Sequence, residues 1–221
     1  MHTPPPAGYN TTMDTFILIV NLIGTVAFAA SGAMIGLRKN MDIFGMCILG
    51  LTTATGGGVI RDLILGLTPP MAFRDPTSAT VALVVSAVFF ARRVRRLLMH
   101  NPEHYRILLF WMDALGLGAF TVIGVELAYQ RAMEPTFFLL VFVGVVTGVG
   151  GGVIRDLLAQ EVPYIFVKHV YACASLAGAM LCAGLWRWAG SMAAMLAGMA
   201  TVVLIRVLAA HYHWNLPKAK Q

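Results

Sequence analysis

Long apolar runs separated by short polar breaks dominate the chain. They cover Thr15 to Leu37, Met41 to Leu67, Thr77 to Ala91, Ile107 to Ala128, Thr136 to Leu158, Val170 to Trp186 and Met192 to Leu208. A helix needs about 20 residues to cross a hydrocarbon core ~30 Å thick. The pattern predicts an all-α polytopic membrane protein with seven crossings. Barrel strands of about 10 residues with strict alternation do not occur. The first run is too long for the apolar core of a signal peptide, and Met1 to Asp14 holds no Lys or Arg. It reads as a retained span, despite the cleavage-like Ala27-Phe28-Ala29.

Composition sharpens this picture. The 221 residues are 58% hydrophobic and only 12% charged, with a mean hydropathy of +0.76. A typical soluble domain carries about 25% charged residues, so too few polar side chains exist to coat a water-soluble globule. The net charge of +6 would suggest nucleic acid in a soluble protein. Here it reads as basic loops on one membrane face, with no nucleic-acid partner. Three basic residues (Arg74, Arg131, Arg187) fall on the N-terminal face. Eleven (Arg38, Lys39, Arg92, Arg93, Arg95, Arg96, Arg106, Lys168, Arg206, Lys218, Lys220) fall on the other. The positive-inside rule then puts the N-terminus outside and the C-terminus in the cytoplasm, as expected for a multi-pass protein of the plasma (inner) membrane. Trp111, Trp186, Trp188, Tyr212 and Trp214 lie near span ends, where interfacial aromatics are expected. Cys47, Cys173 and Cys182 read as small packing residues. The six histidines (His2, His100, His104, His169, His211, His213) lie in tails or loops without ligand spacing, so no metal site or cofactor is expected. No phosphate loop or nucleophile elbow appears either, which argues against an enzyme.

An internal repeat organises the chain. Gly56 to Leu63 reads GGGVIRDL, and Gly150 to Leu157 reads GGGVIRDL again, 94 positions later. The same offset superposes Gly24 on Gly118 and Phe16 on Phe110. The expected organisation is a disordered tail (1–14, with Pro4-Pro5-Pro6), a first three-helix unit (15–98), a second (105–188), a seventh helix (189–210) and a C-terminal tail (211–221). Each unit has an odd number of crossings, so the second enters from the opposite side. Such inverted repeats place their site at the repeat interface near the midplane, at Gly-interrupted spans.

Gly56, Gly57, Gly58 and Gly150, Gly151, Gly152 are those interruptions. Glycine costs helix stability, about 0.8–1.0 kcal/mol each against Ala, and permits a break or kink. A break would free carbonyls to bind a monovalent cation, or a half-helix N-terminus to bind an anion. Arg61 and Arg155 follow, with Asp62 and Asp156 beside them. Neighbours at i and i+1 diverge by about 100° on a helix, so each charge is expected to find a partner on another span. Arg61–Asp156 and Arg155–Asp62 are one such arrangement. The competing reading is that the glycines only let helices pack closely and that the arginines anchor span ends. Gly32/Gly36, Gly144/Gly148 and Ala194/Gly198 read as packing positions of this kind.

Ser31, Thr55, Asp113 and Thr147 are second candidates for a polar pathway, with Thr52 and Thr53. Such hydroxyls more often bond their own helix. Asp113 is as well explained as an interfacial residue, and Glu126 reads as interfacial. The Arg92, Arg93, Arg95, Arg96 cluster reads as an orientation signal that could also meet anionic lipid headgroups.

The doubled GGGVIRD motif, with Gly24 to Gly36 (GTVAFAASGAMIG) and Asp113 to Gly118 (DALGLG), resembles the prokaryotic TRIC family of trimeric intracellular cation channels. The same domain also carries the label glycine transporter. The resemblance spans about Thr15 to Leu208. It implies a homotrimer with one pore per subunit, permeable to monovalent cations, chiefly potassium and also sodium. It further implies that spans two and five kink at the glycine runs and line the pore. The alternatives are a secondary transporter of glycine or another small zwitterion, and a non-transporting membrane scaffold.

Overall fold

The computed structural model describes residues 11–167 and 170–214. Among these, all regular structure is helical: α1 (Thr11–Arg38), α2 (Ile43–Ile64), α3 (Met71–Arg74), α4 (Thr77–Phe90), α5 (Arg92–His100), α6 (Pro102–Arg131), α7 (Phe137–Leu158), α8 (Tyr164–Val167), α9 (Val170–Ala189) and α10 (Ser191–His211). Six are long and apolar enough to cross a membrane, and the bent pair α4–α5 brings the number to seven when counted as one span. The Pro-rich start and the end of the C-terminal tail lie outside the described residues. Helix α1 begins at Thr11, so Asp14 is helical instead of part of a tail.

The two halves repeat each other in local detail. Helices α2 and α7 are both 22 residues long and 94 positions apart. Asp42 caps α2 by accepting from the Gly45 N–H at 2.7 Å, and Thr136 caps α7 by accepting from the Leu139 N–H at 3.2 Å. Both are side-chain N-caps, which satisfy donors that have no intrahelical partner. Past the C-terminal ends, Gly66 and Gln160 both take left-handed φ values, 70° and 54°. Short helices α3 and α8 then lead into α4 and α9.

Packing inverts the soluble pattern. Leu22, Ile23 and Val26 of α1, Phe138 and Phe142 of α7, and Leu196 and Leu204 of α10 face outward, toward lipid. The interior holds Ala27, Ala29, Ala30, Ala33, Ala114, Ala119, Ala174 and Ala179 together with buried polar groups. Small residues let backbones approach where no hydrophobic force drives helices together. The expected packing glycines behave this way. A Cβ on Gly32 would sit 2.7 Å from the Leu49 carbonyl oxygen, and one on Gly198 would sit 2.8 Å from Cys182 Cβ.

Two smaller expectations need correction. Trp186 is buried against Tyr129, with ring centroids 5.0 Å apart, so it is a core aromatic and not an interfacial one. Cys173 is exposed and fills no gap within the protomer.

Candidate functional site: the crossing of α2 and α7

The GGG runs do not break their helices. Both α2 and α7 continue through them as α-helix, so no carbonyls are freed for a cation there. The glycines instead bring the two helices together. A Cβ on Gly57 would overlap the Thr147 carbonyl oxygen, and one on Gly151 would overlap the Thr53 carbonyl oxygen. Thr53 and Thr147 are themselves 94 positions apart. Gly56 likewise meets Ile154, and Gly150 meets Ile60 at 3.4 Å. These reciprocal contacts run upward along one helix and downward along the other. The crossing therefore sits on a pseudo-two-fold axis between antiparallel segments, as an inverted repeat requires.

The arginines also depart from expectation. Arg61 Nε donates to Asp62 Oδ1 at 2.9 Å, and Arg155 Nε donates to Asp156 Oδ1 at 2.9 Å. Neither swapped pair forms. Adjacent Cβ atoms do diverge, but an arginine is long enough to fold back over the next residue. Each aspartate uses its second oxygen elsewhere. Asp62 Oδ2 accepts from the Met71 N–H at 2.7 Å, and Asp156 Oδ2 accepts from the Tyr164 N–H at 2.9 Å. The RD pair thus pins the start of α3 or α8 beneath the end of its own long helix.

Beyond that shared frame the two halves differ. Arg155 is fully buried. Its Nη1 donates to Asp113 Oδ1 at 2.8 Å and to the Ser31 hydroxyl. Asp113 Oδ2 lies 3.2 Å from Arg206 Nη2, and the Tyr171 hydroxyl donates to Asp113 Oδ1 at 3.4 Å. Arg206 stacks over Tyr171 and Phe110, 4.8 and 5.1 Å from the ring centroids. Asp113 is therefore interior, not interfacial. Arg206, counted above among the face charges, is buried in this cluster. Its place inside the last apolar run was the available signal, and the orientation asymmetry survives its loss.

Arg61 has no such enclosure. The offset places Ile19 where the second half has Asp113, and Val125 where Ser31 stands. Near the start of α4, Ser78 takes the place of Tyr171, since α3 and α4 start 93 positions before α8 and α9. With those partners missing, a cavity of about 310 Å³ remains beside Arg61. Thr25, Thr55, Gly58 and Asp62 line its depth, and Asp14, Asn21 and Asp75 its outer part. Asp14, Leu18 and Asp75 are exposed, so the cavity opens on the N-terminal face. A Cβ on Gly58 would meet only the Arg61 guanidinium, with Nη2 nearest at 3.5 Å, whereas one on Gly152 would press on the Tyr171 hydroxyl at 2.9 Å.

A thin apolar layer separates the cavity from the Arg155 cluster. Phe28 is fully buried and meets Phe120 edge-on with centroids 5.2 Å apart. It also lies against Gly116 and Gly151. Thr25, Phe28 and Ser31 follow one another on a single face of α1, so cavity, aromatic plug and buried arginine lie in line.

The remaining candidates are quickly placed. Thr52, Thr53, Thr55 and Thr147 donate to Ile48, Leu49, Leu51 and Val143 carbonyls of their own helices. Glu126 is buried, with Gln130 donating to one of its oxygens. Arg92, Arg93, Arg95 and Arg96 lie on exposed α5, away from the crossing.

Known proteins agree with this architecture. The family described as "Glycine transporter" matches twice, over residues 18–93 and 110–187, one match on each half. The inner membrane protein YadS (UPF0126) of Escherichia coli K12 is 38% identical over 207 residues, covering 90% of this chain and 93% of YadS. The UPF0126 membrane protein YvgT of Bacillus subtilis is 32% identical, covering 90% and 94%. Among solved structures, the TRIC orthologue from Rhodobacter sphaeroides is 33% identical with a TM-score of 0.81, covering 90% of this chain and all of that one. A prokaryotic TRIC channel crystallised in 0.5 M KCl superposes with a TM-score of 0.83 at 28% identity, covering 92% and 100%. This chain is an integral membrane protein and belongs to the prokaryotic TRIC family, whose domain also carries the name glycine transporter.

Proposed function

We propose that the protein is a cation channel, potassium-permeable, with a pore in each subunit of a homotrimer in the plasma (inner) membrane. The single observation that carries this reading is the cavity beside Arg61, which carries Asp14, Asp62 and Asp75 among mostly apolar walls and reaches into the bundle next to the crossing of the two repeats. Asp14 and Asp75 at its mouth favour cations over anions. Among the described residues the buried Thr25 hydroxyl has no hydrogen-bond partner, so it is available to a permeating ion or its water. The relatives are described as TRIC cation channels, one of them as trimeric, which supports both the cargo and the assembly.

On this reading the conformation described is closed. The route from the N-terminal face stops at the Phe120–Phe28 pair, of which Phe120 lines the cavity, and beyond it Arg155, Asp113, Arg206 and Tyr171 fill the equivalent space. Opening requires Phe28 to swing and the Arg155–Asp113 contact to loosen. Arg61 and Asp62 sit where the pathway narrows, and their mutual pairing leaves little net charge to repel a cation. The N-terminal face is taken as external, on the loop charges.

The test is planar-bilayer recording of the purified protein under a KCl gradient. The reading predicts unitary currents that reverse near the potassium equilibrium potential. Silence from folded protein at all voltages, or saturable uptake of labelled glycine without potassium current, overturns it.

A further inference from the structure

We infer that α5 and the end of α1 form a binding site for the headgroup of an anionic phospholipid, on the membrane face opposite the N-terminus. Arg92, Arg95 and Arg96 line a cavity of about 480 Å³. Its remaining wall is mostly apolar: Leu37, Met41 and Phe90. Charge and grease side by side match a phosphate joined to acyl chains.

The placement follows from helix geometry. Helix α4 has 14 residues and spans only about 21 Å at 1.5 Å per residue, short of a ~30 Å core. At Ala91 the chain bends by 71° into α5. That bend turns α5 away from the axis of α4 and toward the membrane plane. Val94 and the buried Leu98 hold it down by packing into the core beneath. Residues three and four apart share a helix face, which lets Arg92 reach the cavity together with Arg95 and Arg96, while Arg93 does not line it.

The charges lack protein partners. Arg38 pairs with Glu161, and Arg106 with Glu103. Among the described residues none of the four α5 arginines has an ion pair, and the first turn of α5 holds no acidic residue. Arginines at this end of a helix also oppose its dipole. A phosphate oxygen accepting from them removes that conflict and gives charge-assisted, fork-shaped hydrogen bonds.

The experiment is a lipid titration of the full-length protein in detergent, read by native mass spectrometry. The probes are phosphatidylglycerol, phosphatidylcholine and inorganic phosphate. It needs no ion conduction, so it stands or falls separately from the channel reading. Wild-type protein should retain phosphatidylglycerol over phosphatidylcholine, with inorganic phosphate binding far more weakly because it cannot use the apolar wall. Arg95→Gln/Arg96→Gln should lower phosphatidylglycerol affinity by roughly fivefold per arginine. Arg93→Gln/Arg106→Gln removes the same charge from the same face and should leave affinity near wild type. Equal loss in both double variants would reduce the site to general surface charge and overturn it. So would equal retention of the two lipids, or inorganic phosphate binding as tightly as phosphatidylglycerol. The wild-type comparison decides the matter even if a variant fails to fold.

Discussion

Arg155 of α7 and Asp113 of α6 meet at 2.8 Å with neither side chain reaching solvent. Breaking a buried pair by removing one charge typically costs about 3–5 kcal/mol, because the partner is left uncompensated. Asp113→Asn should therefore lower the melting temperature in detergent sharply, since Arg155 and Arg206 both lean on this carboxylate. On the closed-gate reading, the channels that do fold should open more often. An unchanged melting temperature would remove Asp113 from its central place.

The glycine runs offer a graded comparison. Gly57→Ala and Gly151→Ala each push a methyl group into a carbonyl of the opposite helix. Overpacking of this kind costs about 1–3 kcal/mol, read by thermal unfolding or loss of a monodisperse elution peak. Gly58→Ala faces the cavity and should leave stability near wild type or slightly above, since Ala favours helix. Equal effects at all three positions would contradict the crossing geometry.

Arg61 tests the asymmetry between the halves. It lines the cavity and pairs only with Asp62 among the described acidic residues, whereas Arg155 also holds Asp113. Arg61→Gln leaves Asp62 as a net negative charge in the pathway. It should raise potassium conductance and shift reversal further toward potassium, with less loss of stability than Arg155→Gln. Recording both variants in the same bilayers checks the order.

Glu161 carries a pH prediction. Partial burial pushes its carboxyl up, but Lys39 and Arg38 outweigh this and hold it below the ordinary glutamate value. Its contribution is present above the unfolded pKa of about 4.3 and is lost as pH falls through the lower folded value. The contacts are substantially solvent-exposed, so the effect should stay below about 1 kcal/mol. Glu161→Gln should cost a little melting temperature at pH 7, and the gap to wild type should close at pH values below the ordinary glutamate range.

The seven apolar runs and the doubled GGGVIRD motif make the helical architecture and the repeat legible, because lipid forces long apolar helices and an exact octapeptide marks the offset. What the motif does locally was harder to read. Glycine lowers helix propensity, yet α2 and α7 stay helical, since tertiary contact at Gly57 and Gly151 favours the helix over a break. The Arg–Asp pairing also escaped a reading by helical angle, which tracks Cβ directions and ignores the reach of a long side chain. The difference between the halves was in the sequence all along. Ile19 and Val125 against Asp113 and Ser31 is visible once the offset is applied, but only packing reveals that those positions surround the arginine.

The most direct test of a pathway through the protomer is covalent block at Thr25. In a chain with Cys47, Cys173 and Cys182 replaced by Ala, Thr25→Cys should react with a small cationic thiosulfonate added from the N-terminal face. Potassium current should then fall as modification proceeds. Complete modification with current unchanged, or a thiol that no aqueous reagent reaches while the channel conducts, would contradict the account.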